Sequence, residues 1–228
     1  MRMSIDNIGN QLFVTVRLLV VIVLIACIVY NPMLVYAKSA KSLLKDLKRK
    51  YEKIETFQAD FNEVFEWAHT GEKNQRSGRI ILADGKRFRI DTEDQLIVCD
   101  NLAIYRYNKL KSQVIIEPLE NNTESLLPRR MLLNFADEFK AEKLLELPVN
   151  ERMGFRLDLT SDKPNEVLMS SATLWVTQDD KTIHRLKFSD LNGNITTYYL
   201  SNIIVNKTID QSMTTFLDPP NVEVFDLR

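Results

Sequence analysis

The sequence predicts a mainly β fold of the α+β class: one antiparallel sheet of about nine to eleven strands, with two or three helices on it. Three observations predict it. Apolar residues recur at every second position through most of the chain after residue 55. Tight-turn pairs such as Asp84-Gly85, Asp100-Asn101 and Asn192-Gly193 separate these runs, and such pairs tolerate the positive φ that hairpins need. Helical spacing appears in only two segments downstream of residue 37. A sheet of that length normally curls or closes.

The chain has 228 residues, 45% hydrophobic and 27% charged, with a net charge of −1. That is enough apolar material for one sizeable core. Without residues 1–37, which carry Arg2, Arg17 and Asp6, the balance is −2. It offers no basic excess for a nucleic-acid partner.

Leu18 to Ala37 is an uncharged run between Arg17 and Lys38. Asn31-Pro32 interrupts it after about twelve strongly apolar residues, a length that suits the apolar region of a secretory signal better than a membrane span. Val35-Tyr36-Ala37 supplies residues of the kind a signal peptidase reads. The expectation is cleavage after Ala37 and an exported domain over 38–228. Two alternatives stand beside it: an uncleaved anchor, and lipidation of Cys27 in the lipobox-like Leu24-Ile25-Ala26-Cys27. With Cys27 removed, Cys99 is the single thiol and no intrachain disulfide forms.

Lys41–Ile54 places Leu43, Leu44, Leu47, Tyr51 and Ile54 on one helical stripe. From Phe57 the period becomes two, and Phe57, Ala59, Phe61, Glu63, Phe65 and Trp67 share one face, with Glu63 as its polar interruption. His69–Ser77 reads as a polar loop. Gly78–Ala83, Lys86–Asp91, Gln95–Cys99, Leu102–Tyr107 and Lys111–Glu117 read as a meander that ends at Pro118. Leu126–Phe139 returns to helical spacing through Met131, Leu132, Phe135 and Phe139, with Pro128 in its first turn. Strand patterns resume at Phe155–Leu159, Thr173–Val176, Ile183–Asp190, Ile195–Val205, Thr214–Leu217 and Val222–Phe225.

Chemistry is sparse. The two histidines, His69 and His184, are far apart and belong to no metal-ligand spacing, and both read as solvated surface residues. No GxSxG elbow and no phosphate-binding glycine loop occurs. Cys99 ends an apolar strand and reads as a small hydrophobe. No cofactor, no metal and no enzymatic activity are expected.

Phe57-Gln-Ala-Asp-Phe61-Asn-Glu63 resembles the F-x-A-x-F-x-Q strand of LolA-type outer-membrane lipoprotein carriers, which also follows a short helix. The likeness continues through Gly78-Arg-Ile-Ile-Leu82, Arg87-Phe88-Arg89-Ile90, Cys99-Asp100-Asn101, Tyr105-Arg106-Tyr107-Asn108 and Leu126-Leu127-Pro128. It closes with Phe216-Leu-Asp-Pro219-Pro220-Asn-Val222-Glu-Val224. The resemblance implies an unclosed antiparallel barrel with helices covering its concave face. It also implies a periplasmic chaperone, with triacylated lipoproteins as cargo, an inner-membrane ABC transporter as source and an outer-membrane acceptor as destination, acting as a monomer. Acyl chains are then expected against Phe57, Phe61, Phe65, Ile80, Leu82 and Phe88, and against Ile90, Leu132 and Phe135. Two departures stand out. The family's Arg-Pro lid determinant falls on Asp84-Gly85, and its Gln falls on Glu63. One reading pairs Glu63 with Arg87 or Arg89 as a substitute lock; the other leaves Glu63 at a wet rim. Alternative functions are an outer-membrane acceptor lipidated at Cys27 and a lipid-sensing envelope-stress domain.

Overall fold

The computed structural model describes residues 39–84, 86–119, 132–133, 139–161 and 169–228. The leader with Cys27 and Ala37, Gly85, Leu126-Leu127-Pro128 and Phe135 lie outside the described residues.

Ser39 starts the first helix, α1 (Ala40–Tyr51), because its hydroxyl accepts the Ser42 N–H at 3.1 Å, a satisfied N-cap. Lys48, Arg49 and Lys50 fill the last turn, where positive charge offsets the helix dipole. Leu43, Leu47 and Tyr51 are buried, and the helix packs against strand β7 (Phe139–Val149). Its C-terminus is tied to a distant turn. Lys50 Nζ donates to the carbonyls of Asp180 (2.8 Å) and Lys181 (3.1 Å), and the Ile183 N–H donates to the Tyr51 hydroxyl at 2.8 Å.

That hydroxyl makes a prediction. Burial above all pushes its pKa up from the ordinary 10.0. Unfolded, Tyr51 ionises near pH 10; folded, it stays neutral. Its contribution is therefore complete below pH 10 and is lost as pH rises from there, by about 1.4 kcal/mol per pH unit. Tyr51→Phe leaves the Ile183 N–H unsatisfied and is expected to cost about 2 kcal/mol at neutral pH, while flattening the alkaline decline. Urea midpoints at pH 8 and pH 11 check both.

The rest of the described chain forms one sheet of twelve strands, in the order β12-β6-β5-β4-β3-β2-β1-β11-β10-β9-β8-β7. The first half is β1 (Phe57–Glu66), β2 (Lys73–Leu82), β3 (Phe88–Thr92), β4 (Gln95–Cys99), β5 (Ala103–Asn108) and β6 (Gln113–Pro118). The second half is β7, β8 (Arg152–Ser161), β9 (Met169–Thr177), β10 (Ile183–Asp190), β11 (Ile195–Val205) and β12 (Glu223–Asp226). Two meanders meet where β1 pairs with β11. Every pair is antiparallel except β12 on β6. The edges are β12 and β7, so the sheet is unclosed.

The turns form for the expected reasons. Asn101 adopts φ 79° and Gly193 φ 81°. Asp100 Oδ1 accepts the N–H groups of Leu102 and Ala103 at 3.0 Å each, and Asp190 Oδ1 accepts those of Asn192 and Asn194 at 2.8 Å.

Three expectations are corrected. Lys73–Ser77 is strand, not loop: pairing with β1 supplies its backbone hydrogen bonds, while its exposed polar side chains hide the pattern. Phe139 opens β7 rather than ending a helix, and Pro148 is tolerated because β7 is an edge strand. Gln211–Thr214 is a 3-10 turn capped by Asp210, whose carboxylate accepts the Ser212 N–H at 2.8 Å, so Thr214 begins no strand. Most of the second expected helix, Leu126–Phe139, lies outside the described residues, and Leu132 within it is helical. Leu132 and Leu133 of the second anticipated helix are buried in the core.

Candidate functional site

Registers across the sheet show why one face is apolar. Phe57 lies opposite Leu82, then Phe88, Cys99 and Ile104. Ala59 leads likewise through Ile80 and Ile90 to Ile97. In the other direction Glu63 leads through Tyr198, Leu186, Leu174 and Leu157 to Leu144. Residues of both directions and of α1 join one cluster. A flat sheet would hold its two halves apart, so the sheet curls and this is its inner face.

Phe57, Phe61, Ile80, Leu82, Phe88 and Leu132 are all buried in that cluster, and Ile90 packs half-exposed on its margin with Ile97, Leu144 and Ile203. Phe65 stands apart. It meets Trp67 edge-on, with ring centroids 4.6 Å apart, at the turn end of the β1–β2 hairpin. Phe61 lies over Gly78, whose missing side chain leaves room for the ring, and touches Tyr198 edge-on at 6.2 Å.

Glu63 is 8% exposed, so it does not sit at a wet rim. Nor does it meet Arg87 or Arg89. Its Oε2 accepts a hydrogen bond from Arg76 Nη2 at 2.9 Å. Strand alternation is the reason: Arg89 points with its register partner Ile81 to the face opposite Ile80 and Ile90, and binds Asp91 at 2.7 Å. Arg87 is paired with Asp84 instead. Sequence reasoning misses Arg76 because the polar pattern of His69–Ser77 reads as loop. A hairpin centred at His69-Thr70 places Glu63 opposite Arg76, so the signal is present in the spacing.

Electrostatics mark this spot as unusual for an apolar face. Burial first, then the neighbouring Glu63 charge, pushes the Tyr198 hydroxyl above its ordinary range. Burial works most strongly against the Arg76 charge, but the bond to Glu63, the Glu63 charge and the lesser effects of Tyr198 and Asp94 together hold its pKa above the ordinary value. Glu63, Phe65, Trp67 and Arg76 line a recess of about 770 Å³, with Asp94 and Leu110 on its far side.

Elsewhere the chemistry is structural. Among the described residues no three His, Cys, Asp or Glu side chains cluster as metal ligands. Cys99 is buried, and burial raises its thiol pKa. His184 is half-buried rather than solvated. One ring nitrogen is 2.9 Å from Asn150 Nδ2, and burial followed by the Arg152 charge lowers its pKa.

The family model described as "Outer membrane lipoprotein carrier protein LolA" matches residues 52–217. An outer-membrane lipoprotein carrier protein of Shewanella sediminis is 25% identical over 202 residues, covering 86% of this chain and 92% of that protein. Its counterpart in Shewanella woodyi is 24% identical over 191 residues, covering 80% and 85%. The crystal structure of an uncharacterized conserved protein from Thermus thermophilus superposes with a TM-score of 0.51 at 14% identity, covering 82% of this chain and 99% of that one, which shows a shared fold. The family match takes in β1 through the turn Gln211–Thr214 and every strand that builds the inner face, and on that ground the chain belongs to the outer-membrane lipoprotein carrier family.

Proposed function

We propose that this protein is a periplasmic carrier that shelters the acyl chains of triacylated lipoproteins. It takes them from an inner-membrane ABC transporter and delivers them to an outer-membrane acceptor after signal cleavage near Ala37. The action is binding, not catalysis.

The observation that carries the proposal is the apolar inner face, which runs from Ile104 on β5 to Leu157 on β8 and meets charged groups at Arg106 and at the Glu63–Arg76 pair. A sixteen-carbon chain costs roughly 12 kcal/mol to hold in water at about 0.8 kcal/mol per methylene, and three cost on the order of 35. Unaided crossing of an aqueous gap is negligible at that cost. In the empty protein the side chains of this face cover one another. Loading works by exchange, with hydrocarbon taking the place that α1 and the core side chains now fill for one another. Such exchange keeps the grip partial, and a partial grip lets the cargo leave.

The test is to produce the full-length chain in a Gram-negative host, purify it from the periplasm and analyse it by mass spectrometry. Co-purifying acylated polypeptides and a mature start at Lys38 are expected. Free phospholipid alone would make it a general lipid carrier, and an acylated Cys27 would make it an anchored acceptor.

A further inference from the structure

We infer that the recess at Glu63 and Arg76 is a head-group filter: it accepts the neutral ester and amide carbonyls of an acylated cysteine and turns away anionic phosphate head groups. The inference rests on the carrier reading above and specifies which acylated molecules that site admits.

Position comes first. The Glu63 row is leucine on four successive strands beyond Tyr198, from β10 to β7. Toward β2 the same row ends in Arg76. An acyl chain lying along this row from β7 therefore meets its first charged groups here. Every acyl chain of a lipid ends in a carbonyl, and a desolvated carbonyl left without a donor is costly.

Arg76 supplies the donor. Its guanidinium commits one Nη2 N–H to Glu63, while the side chain lines the recess and is 49% exposed, which leaves the other N–H groups of its planar fork to offer. Phe65 and Trp67 form one apolar wall and the exposed Leu110 another, suited to the methylenes next to the carbonyl. The volume of about 770 Å³ falls inside the range of ordinary ligand sites.

Charge supplies the selection. Glu63, Glu93 and Asp94 all line this recess against the single guanidinium of Arg76. Lys109 is committed to Asp91 at 2.7 Å and to the Thr92 carbonyl, and Lys73 to Glu66 at 3.2 Å. A phosphate brought to Arg76 would meet three carboxylates and an arginine already neutralised. An ester or amide carbonyl brings no charge and needs only the donor. A glutamine at position 63 would leave Arg76 unneutralised and attractive to phosphate.

The experiment uses the full-length protein in a Trp175→Phe background, so that Trp67 beside the recess is the sole tryptophan reporter. The probes are an N-acetylated dipalmitoyl-S-glyceryl-cysteine peptide and dipalmitoyl phosphatidylglycerol, equal in chain number and each dispersed in the same neutral detergent. The peptide is expected to bind at least about tenfold more tightly than the phospholipid, because both offer carbonyls to Arg76 and only the phospholipid brings an anion against the carboxylates of the recess. Glu63→Gln, which preserves shape, is expected to erase about tenfold of that preference by strengthening phospholipid binding while peptide binding holds. Glu93→Gln with Asp94→Asn, both at exposed positions, should narrow it in the same direction, and decides the matter if Glu63→Gln fails to fold. Equal binding of both probes by the parent, or an unchanged preference in the variants, overturns the filter and leaves the carrier standing. A parent that binds neither probe removes the carrier reading and this inference with it.

Discussion

Gly78→Ala is expected to lower the unfolding free energy by about 3 kcal/mol, at the upper end of what overpacking a filled site costs. A Cβ at position 78 would collide with the Asp91 carbonyl oxygen, and would lie 2.9 Å from Thr92 Cγ2 and 3.0 Å from the tip of the Phe61 ring. None of the three gives way cheaply. The Asp91 carbonyl is backbone of β3, held in register opposite Arg79. Thr92 is buried, donates to Asp94 at 2.6 Å and accepts the Gln95 N–H at 3.1 Å. Phe61 is packed on its other side against Tyr198. With an m-value of ~2 kcal/mol/M, the urea midpoint should fall by about 1.5 M at unchanged slope. Gly71 is the control, since nothing lies within 4 Å of the Cβ that alanine would add there. Gly71→Ala then costs only the strain of its φ of +68°, about 1 kcal/mol. Equal losses at the two positions would mean that β2 and β3 separate easily, and that the Phe61 seat is not rigid.

Where side-chain pattern and backbone pairing agree, the fold is legible in the sequence. β10 and β11 begin and end at the residues expected, because the apolar and β-branched runs Ile183–Asp190 and Ile195–Val205 are divided by the turn at Asn192-Gly193. α1 is legible for the same reason in another period. β7 is not: a bulge between Ala141 and Lys143 shifts its phase so that Leu144 follows Ala141 on the inner face, and an edge strand tolerates such a bulge. The polar half of β2 is hidden also, and with it Arg76. The candidate site divides along this line. Its apolar part follows from alternation alone, since Phe57, Phe61, Ile80, Leu82 and Phe88 fall on one face once strands are assigned. Its polar part needs the register of a hairpin, which depends on the length of a turn that hydropathy does not reveal. The outward direction of Arg89 is a matter of parity within β3, since its neighbours Phe88 and Ile90 take the inner face.

Ile90→Glu is expected to weaken retention of acylated peptide by about a hundredfold. Ile90 sits between Ile80 and Ile97 in register, on the inner face, and is half-exposed. A carboxylate there has room to reach water when the protein is empty, so folding survives, with an unchanged far-ultraviolet spectrum and a modest fall in urea midpoint. With hydrocarbon against it the carboxylate must desolvate or take up a proton. Either route costs roughly 3 kcal/mol for a single charged side chain facing an apolar phase, which is about a hundredfold in affinity. The measurement is acyl chains bound per protein, with a tripalmitoyl-S-glyceryl-cysteine peptide as probe. Arg89→Glu is the control, because it changes charge one residue away on the opposite face, beside Asp91; it should cost stability through lost pairing and like-charge repulsion while loading stays as before. Ile90→Leu should load normally, separating the effect of charge from that of shape. The two glutamate variants thus ask which face of one strand the hydrocarbon touches. Loading that survived Ile90→Glu and failed with Arg89→Glu would put the acyl chains on the outer face. That would strip the inner face of the role proposed for it, because a sheet whose buried side tolerates charge without losing its cargo is not holding the cargo there.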